Sequence, residues 1–201
     1  MKPIILDLCG GTGAWSKPWA ESGEYDVRVI TLPEHDVRTY QPPEEVYGIL
    51  AAPPCTYFSH MRRRWGKPTR EQMTEALSVV EACMRIIWKC QPEFWALENP
   101  AMGDLKKWIG LPKLEFQPFE YGDAWTKRTA IWGNFISPMK FNQVKPHRQS
   151  HYLNPAINAG SGRTLKERQS MTPPGFARAF FEANRIRDMK KQEGGHERKM
   201  Q

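Results

Sequence analysis

The chain begins with a short apolar run that leads directly into a glycine-rich turn. Residues 4–8 read Ile-Ile-Leu-Asp-Leu, and Gly10, Gly11 and Gly13 follow before a tryptophan-containing stretch over residues 14–22. A strand, a glycine turn and a helix in this order allow the backbone to approach a nucleotide-like ligand closely. Taken alone, the glycines are equally consistent with a tight connection between a strand and a helix.

Short apolar runs alternate with helical periodicity along most of the chain. The predicted elements are strands over 4–8, 26–31, 47–52 and 94–97, helices over 14–22, 69–90 and 105–109, and a closing antiparallel pair over 114–121 and 129–135. Strands that alternate with helices predict an α/β protein with a doubly wound, mostly parallel sheet and an antiparallel closing strand. In such sheets ligands bind at the carboxyl ends of the strands.

The net positive charge of the chain is concentrated in its last third. Residues 135–201 contain 13 of the 29 Lys and Arg residues and 5 of the 22 Asp and Glu residues, so their net charge is +8. The net charge of residues 1–134 is −1. This asymmetry indicates a polyanionic partner contacted from one side, although part of it lies in a tail whose charges could simply be solvated. The predicted units are a catalytic core over 1–134, a short loop-rich basic segment over 135–170, a helix over 171–187 that packs back on the core, and a disordered basic tail over 188–201.

Composition also predicts the compartment. No run of about 18 apolar residues is present to span a membrane, and the apolar run after Met1 is interrupted by Asp7 too soon for a signal peptide. Four cysteines without regular spacing argue against a disulfide framework or a zinc site. We therefore expect a cytoplasmic, monomeric protein without a metal or a membrane partner.

Two short motifs at predicted strand ends carry the candidate chemistry. Cys55 follows Pro53 and Pro54, whose fixed φ holds the thiol on a stiff turn, and Glu98 follows the apolar run 94–97. A buried small hydrophobe is the common alternative for a free cysteine, but the prolines and the polar residues after Cys55 argue against it. A buried glutamate is costly without a function or a partner.

Four motifs, in order, resemble those of the cytosine-5 DNA methyltransferase family. Residues 7–13, Asp-Leu-Cys-Gly-Gly-Thr-Gly, are similar to its cofactor motif, and residues 52–59, Ala-Pro-Pro-Cys-Thr-Tyr-Phe-Ser, resemble its nucleophile motif. Glu98-Asn99-Pro100 stands where the family has Glu-Asn-Val, and Tyr121-Gly122 with Lys127-Arg128-Thr129 resembles its Tyr-Gly…Arg-x-Arg segment. The resemblance covers roughly residues 4–134, and 172–183 looks like the terminal helix that folds back on the cofactor site.

The resemblance implies a Rossmann-like fold, S-adenosyl-L-methionine as cofactor and methylation of cytosine carbon 5 in DNA. Cys55 would be the nucleophile that adds to carbon 6, Glu98 the acid at ring nitrogen 3, and Arg128 the orienting cation. The predicted cofactor-binding residues are Asp7, Leu8, Cys9, Gly10, Gly11, Thr12, Gly13, Asp36, Val37 and Pro54. The predicted nucleic-acid contacts are Arg62, Arg63, Arg64, Lys127 and Arg163. Asp36 is an acceptor for the adenine amino group or, nearly as well, an ordinary loop residue that caps a turn.

The chain departs from the family pattern in three places. Where the family has Gln-x-Arg-x-Arg, residues 125–129 read Trp-Thr-Lys-Arg-Thr, so the register of the orienting arginine stays open. The second strand ends in Thr31-Leu32 where the family has an acidic residue for the ribose, so Glu34 substitutes or that contact is absent. The segment before the last helix is too short for a large target-recognition domain, as in the short forms encoded by bacteriophages and prophages. We therefore expect slight sequence selectivity and, as a hypothesis, a preference for distorted or single-stranded substrate.

Three other functions remain open at this stage. The same chemistry could act on cytosine in RNA or in a free nucleotide, although the basic last third favours a polymer. An amino-group methyltransferase would carry Asp or Asn before Pro-Pro and an aromatic residue after it, whereas Ala52 and Cys55 stand there. A catalytically silent nucleic-acid-binding module is the third alternative, and the presence of both Cys55 and Glu98 argues against it.

Overall fold

The structure is a computed structural model that describes residues 1–61, 66–146 and 170–186. The strands are β1 Ile4–Leu8, β2 Asp26–Ile30, β3 Gly48–Ala51, β4 Phe94–Pro100, β5 Leu114–Phe116 and β6 Thr129–Asn134. The helices are α1 Lys17–Ser22, α2 Arg70–Cys90, α3 Lys106–Ile109 and α4 Pro174–Asn184, with a 3-10 turn at Pro118–Tyr121. None of the helices within the described ranges is both long and apolar enough to cross a membrane.

The six strands form one sheet in the order β2-β1-β3-β4-β6-β5. The first four strands are parallel, and β6 and β5 complete the sheet with antiparallel pairings. This topology confirms the predicted doubly wound, mostly parallel α/β sheet with an antiparallel closing pair. Because β1, β3 and β4 are adjacent and parallel, the segments that follow them meet at one edge of the sheet.

Each face of the sheet buries its own apolar core. Leu6 and Leu8 face the core formed with α2, whereas Ile5, between them in sequence, faces the aromatic core formed with α1 and α4. In the aromatic core the rings of Trp19 and Phe181 meet edge to face at 5.2 Å between centroids. Strand side chains alternate between faces, so β1 is apolar on both sides, as expected for a central parallel strand.

Helix α2 follows the prediction closely because its signals are local. Thr69 is its N-cap: the Thr69 hydroxyl accepts the Gln72 N–H at 3.2 Å, and the Gln72 side chain accepts the Thr69 N–H at 3.1 Å. This reciprocal capping box satisfies two of the amide donors that a helix start leaves unpaired. Helix α1 differs from its prediction and begins at Lys17, since residues 12–16 form turns.

Strand β4 is longer than the predicted 94–97 and runs to Pro100. Phe94 to Leu97 pair with β3, and from Glu98 onward the strand pairs only with β6, with Glu98 opposite Ile131 and Pro100 opposite Thr129. Glu98 therefore stands just past the end of β3, on the side of the sheet where Cys55 follows. The antiparallel partner, which is distant in sequence, supports this extension.

Candidate active site

The site is formed by the segments that follow β1, β3 and β4. After β3, the Ala52 N–H donates to Leu8 O at 2.9 Å, which continues the pairing with β1. The carbonyl of Cys55 then accepts the N–H groups of Phe58 at 3.0 Å and Ser59 at 2.9 Å. Cys55 thus lies at the start of a hydrogen-bonded turn, which fixes the thiol at the carboxyl edge of the sheet.

Asn99 connects the two candidate catalytic motifs. Its side chain is fully buried, and its Nδ2 donates to the carbonyl oxygen of Pro53 at 3.1 Å. Because Asn99 follows Glu98 and Pro53 precedes Cys55 by two residues, this bond ties the two motifs together past the end of the β3–β4 pairing. Asn99 was not among the predicted site residues; its position directly after the predicted acid was the available signal.

Glu98 and Lys127 form an ion pair beside Cys55. The Lys127 Nζ lies 3.7 Å from Glu98 Oε1, and both side chains are mostly buried, with 16% and 13% of their surface exposed. Burial raises the pKa of the Cys55 thiol, the negative charge of Glu98 raises it further, and Lys127 opposes both effects. The three groups are therefore close enough to influence one another electrostatically.

Lys127 is held in place from two directions. Its backbone N–H donates to the Gln117 side chain at 3.0 Å, and its Nζ donates to the carbonyl of Met171 at 3.1 Å. Arg128 instead points to the surface, where its guanidinium pairs with Glu115 at 2.8 Å. The structure thus brings together Cys55, Glu98 and Lys127 and does not bring Arg128, the predicted orienting cation, to Glu98.

The glycine turn after β1 has a compact, unusual backbone. Cys9, Gly11 and Gly13 have φ values of 56°, 55° and 67°, in the left-handed region. Gly10 lies against the carboxyl group of Asp7, so a Cβ at position 10 would overlap that group. Gly11 is exposed, with no atom near the place where its Cβ would stand, so the turn leaves open space next to its backbone.

Asp7 is a buried acidic residue in β1, next to the turn. Its Oδ2 accepts the Ser16 hydroxyl at 2.6 Å, whereas its Oδ1 has no hydrogen-bond partner among the described residues. Burial raises the pKa of Asp7 to about 6, and the hydrogen bond from Ser16 lowers this pKa by a smaller amount. Ser16 was not among the predicted site residues, because nothing in its sequence neighbourhood indicates that it reaches back to β1.

The remaining predicted cofactor residues lie in differing environments. Leu8 and Val37 are buried in the core on the α2 side, Thr12 and Pro54 are exposed, and Cys9 packs beside Cys83. The Asp36 carboxylate accepts the Arg38 N–H and guanidinium Nε, each at 2.9 Å, so it caps a turn. Of the predicted nucleic-acid contacts, Arg62, Arg63, Arg64 and Arg163 lie outside the described residues.

A groove between α1 and α4 approaches the glycine turn from outside. It has a volume of about 510 Å³, and its lining includes Thr12, Lys17, Thr172, Arg178 and Phe181. Cys55, Glu98 and Lys127 do not line it. In the described ranges, no group of three or more His, Cys, Asp or Glu residues is arranged to hold a metal ion.

Comparison with known proteins identifies the family. The parallel sheet, with Cys55, Glu98 and Lys127 at its carboxyl edge, is that of an α/β protein. A protein of frog virus 3 (isolate Goorha) named "Probable DNA (cytosine-5)-methyltransferase" is 32% identical over 148 residues, which is 64% of this chain and 69% of that protein. The chain therefore belongs to the DNA (cytosine-5)-methyltransferase family. This confirms the family and the enzyme class that the motifs predicted.

A solved structure gives a more distant likeness. It is named as a "putative DNA modification methyltransferase encoded within prophage" (E. coli), with 16% sequence identity and a TM-score of 0.48. The similarity covers 66% of this chain and 47% of that one, so this chain spans about half of its length. No family model matches the sequence.

Proposed function

We propose that this protein methylates carbon 5 of cytosine in DNA through a covalent adduct on Cys55, with S-adenosyl-L-methionine as the methyl donor. The observation that carries the proposal is the convergence of Cys55, Glu98 and Lys127 at the carboxyl ends of β3 and β4. Membership of the DNA (cytosine-5)-methyltransferase family supports DNA as the substrate.

Cys55 supplies the nucleophile. Carbon 5 of cytosine is a poor nucleophile, and addition of a thiolate to carbon 6 converts the ring into an enamine that is reactive at carbon 5. Because burial and Glu98 both raise the pKa of Cys55, a nearby positive charge is needed to make the thiolate accessible. Lys127 provides that charge, and elimination of Cys55 after loss of the carbon 5 proton to solvent restores the thiol.

Glu98 interacts with the pyrimidine ring at nitrogen 3. A carboxyl group that donates a proton or a hydrogen bond there stabilises the enamine formed by thiol addition. Lys127 stays beside Glu98 and compensates its charge when it is ionised. We therefore assign to Lys127 the role of the cation in the site, where the sequence analysis placed Arg128.

The glycine turn fits S-adenosyl-L-methionine. The backbone at Gly11 is open, Gly10 lies against Asp7, and the buried Asp7 Oδ1 has no hydrogen-bond partner among the described residues, so the turn leaves room for a polar ligand beside the end of β1. Residues 7–13 would hold the ligand, with Asp36, Val37 and Pro54 lining the neighbouring ends of β2 and β3. When bound, this cofactor supplies an electrophilic methyl group on its sulfonium.

The test is methyl transfer from labelled S-adenosyl-L-methionine to unmethylated DNA, with Cys55→Ser and Glu98→Gln measured alongside. We expect label on cytosine carbon 5, no transfer by Cys55→Ser and a loss on the order of 10²-fold or more for Glu98→Gln. Cys90→Ser is the matched control, since Cys90 is also partly buried but lies at the end of α2, and it should keep full activity.

A covalent trap separates the remaining outcomes. In the presence of S-adenosyl-L-methionine, DNA that carries 5-fluorocytosine should form a stable adduct with the wild-type chain and with Cys90→Ser, and none with Cys55→Ser. The adduct is stable because the methylated carbon 5 has fluorine in place of the proton whose loss would release the thiol. Transfer to RNA or free nucleotide but not to DNA would replace the proposed substrate. Cofactor binding without transfer to any cytosine would favour the catalytically silent module.

A further inference from the structure

We propose that α3 presents a nucleic-acid-binding surface next to Cys55, on which a base of single-stranded or locally unpaired DNA stacks against Trp108. This inference rests on the proposed function for the identity of the ligand as DNA. The surface, called here the Trp108 surface, consists of Met61, Met102, Lys106, Lys107, Trp108 and Leu111.

The first argument is that α3 is fastened to the turn that carries Cys55. Ser59 and Gly103 form an antiparallel bridge, the His60 N–H donates to Met102 O at 3.1 Å, and the Asp104 N–H donates to Phe58 O at 2.8 Å. The approach is close enough that a Cβ at Gly103 would stand 3.1 Å from Phe58 O. Residues 102–104 are thus positioned directly by the nucleophile turn.

Side-chain contacts strengthen this connection. Asp104 Oδ1 lies 3.1 Å from His60 Nε2 and 2.8 Å from Lys107 Nζ, so it links the nucleophile turn to α3. At the other end of the helix, the Trp132 indole N–H donates to Gly110 O at 2.8 Å. Leu105 is fully buried in the core on the α2 side. Helix α3 is therefore held at both ends and on its inner face.

Several exposed residues of α3 and of the segments next to it are apolar. Met61, Met102, Trp108 and Leu111 are 57%, 60%, 55% and 85% exposed. They belong to two short segments, 59–61 and 102–111, that the bridge at Ser59 holds together. Single exposed apolar residues are common, but four of them in two segments tied to the nucleophile turn indicate a binding surface.

The charge of the same segment selects the ligand. Residues 102–111 contain Lys106 and Lys107 against the single acid Asp104, which pairs with Lys107, and the chain continues from Met61 into Arg62-Arg63-Arg64. An exposed indole beside lysines is suited to a nucleic acid, because lysines contact the phosphates and bases stack on the aromatic face. A flipped cytosine leaves its neighbours partly unstacked, so such bases are available where Cys55 acts.

The chain contains a matched control for this surface. Trp88 is 78% exposed and is followed by Lys89 in the last turn of α2, so it repeats the lysine–tryptophan pairing. Helix α2 starts after the nucleophile turn and ends just before β4 begins, which places Trp88 near the amino ends of the strands. A general effect of removing an exposed tryptophan would therefore appear equally at both positions.

The experiment measures binding of fluorescent single-stranded and duplex DNA by anisotropy, without methyl donor, so that binding is separated from chemistry. We expect Trp108→Ala to weaken single-stranded binding about 5- to 150-fold, Trp108→Phe to retain most of it, and Trp88→Ala to match the wild type. Lys106→Ala/Lys107→Ala should weaken binding and lower the slope of log K against log salt by roughly one to two.

Several results would overturn the proposal. The first is that Trp108→Ala binds DNA with wild-type affinity, and the second is that Trp88→Ala loses as much affinity as Trp108→Ala. The third is that the protein binds RNA more tightly than DNA, and the fourth is that the protein is a dimer which Trp108→Ala dissociates. If Trp108→Ala lowers the Tm, DNA binding by Lys106→Ala/Lys107→Ala decides whether the surface binds DNA, since both lysine side chains are exposed. If the wild type transfers methyl groups but Trp108→Ala binds DNA as tightly as the wild type, the Trp108 surface is rejected and the proposed function stands. If DNA binding depends on Trp108 but no methyl transfer occurs, only the proposed function is rejected.

Discussion

The reactivity of Cys55 depends on the two charged side chains beside it. Lys127→Met removes the charge that lowers the pKa of the thiol, so the pH at which Cys55 becomes alkylated should move upward. Glu98→Gln removes a charge that raises this pKa, so the midpoint should move downward. Peptide-resolved alkylation against pH measures both directions without requiring any enzymatic activity.

Cys90 provides an internal reference in the same experiment. Its pKa is raised by burial and lowered by Lys89, neither of which the two variants alter. The alkylation midpoint of Cys90 should therefore stay constant. A midpoint for Cys55 that is insensitive to both substitutions would contradict the electrostatic coupling on which the proposed roles of Lys127 and Glu98 depend.

Asp7 is expected to make the free energy of unfolding depend on pH. Its pKa of about 6 in the folded chain lies above the ordinary value of 3.8 for an aspartate, so between these values the native state binds more protons than the unfolded chain. Its contribution to stability is therefore present below pH 3.8 and is lost as the pH rises to about 6. The loss amounts to roughly 3 kcal/mol.

Asp7→Asn tests this directly because an amide does not titrate. Urea unfolding at several pH values between 4 and 7 should give a wild-type stability that falls relative to the variant across this window. Comparing the two proteins at each pH cancels the contributions of the other carboxylates. Parallel curves for wild type and variant would show that Asp7 titrates alike in the folded and unfolded chain.

At the scale of elements, α4 is attached to the loop that carries Lys127. The Gly175 N–H donates to Asp123 Oδ2 at 2.8 Å, and the Lys127 Nζ donates to Met171 O just before the helix. The rings of Phe176 and Phe116 stack with centroids 3.7 Å apart. Helix α4 thus contributes to positioning the cation of the site as well as to the core.

Gly175→Ala is expected to loosen this attachment. A Cβ at position 175 would overlap the carbonyl oxygen of Tyr121, a backbone atom that cannot rotate away, so the free energy of unfolding should fall by roughly 1–3 kcal/mol. Thermal unfolding measures the change. Arg178→Ala, at an exposed position of the same helix, is the control and should stay within about 0.5 kcal/mol of the wild type.

The accuracy of the predicted elements depends on how local their signals are. Strand β1 and helix α2 match their predictions because an apolar run, a threonine cap and helical periodicity all lie within the segments themselves. Strand β4 was predicted too short, since residues 98–100 are polar or proline and are kept extended by β6. The three extra residues include Glu98 and Asn99, so this pairing helps to shape the site.

At the scale of the whole molecule, the sheet order brings the site together. The segments after β1, β3 and β4 are separated by tens of residues in sequence, yet parallel pairing places their carboxyl ends side by side. The two antiparallel strands then bring Lys127, two residues before β6, against Glu98. The division into a core, a basic segment, a terminal helix and a tail stays a prediction.

The sequence by itself determined the fold class, the family and the choice of Cys55 and Glu98, because each depends on residue types in a short, ordered pattern. Only the tertiary structure decided that Lys127, not Arg128, faces Glu98. In the chain that leads into β6, neighbouring side chains point to opposite sides. A shift of one residue therefore decides whether a side chain faces Glu98 or the surface. The contacts that set this register, from Gln117 and Met171, come from segments distant in sequence.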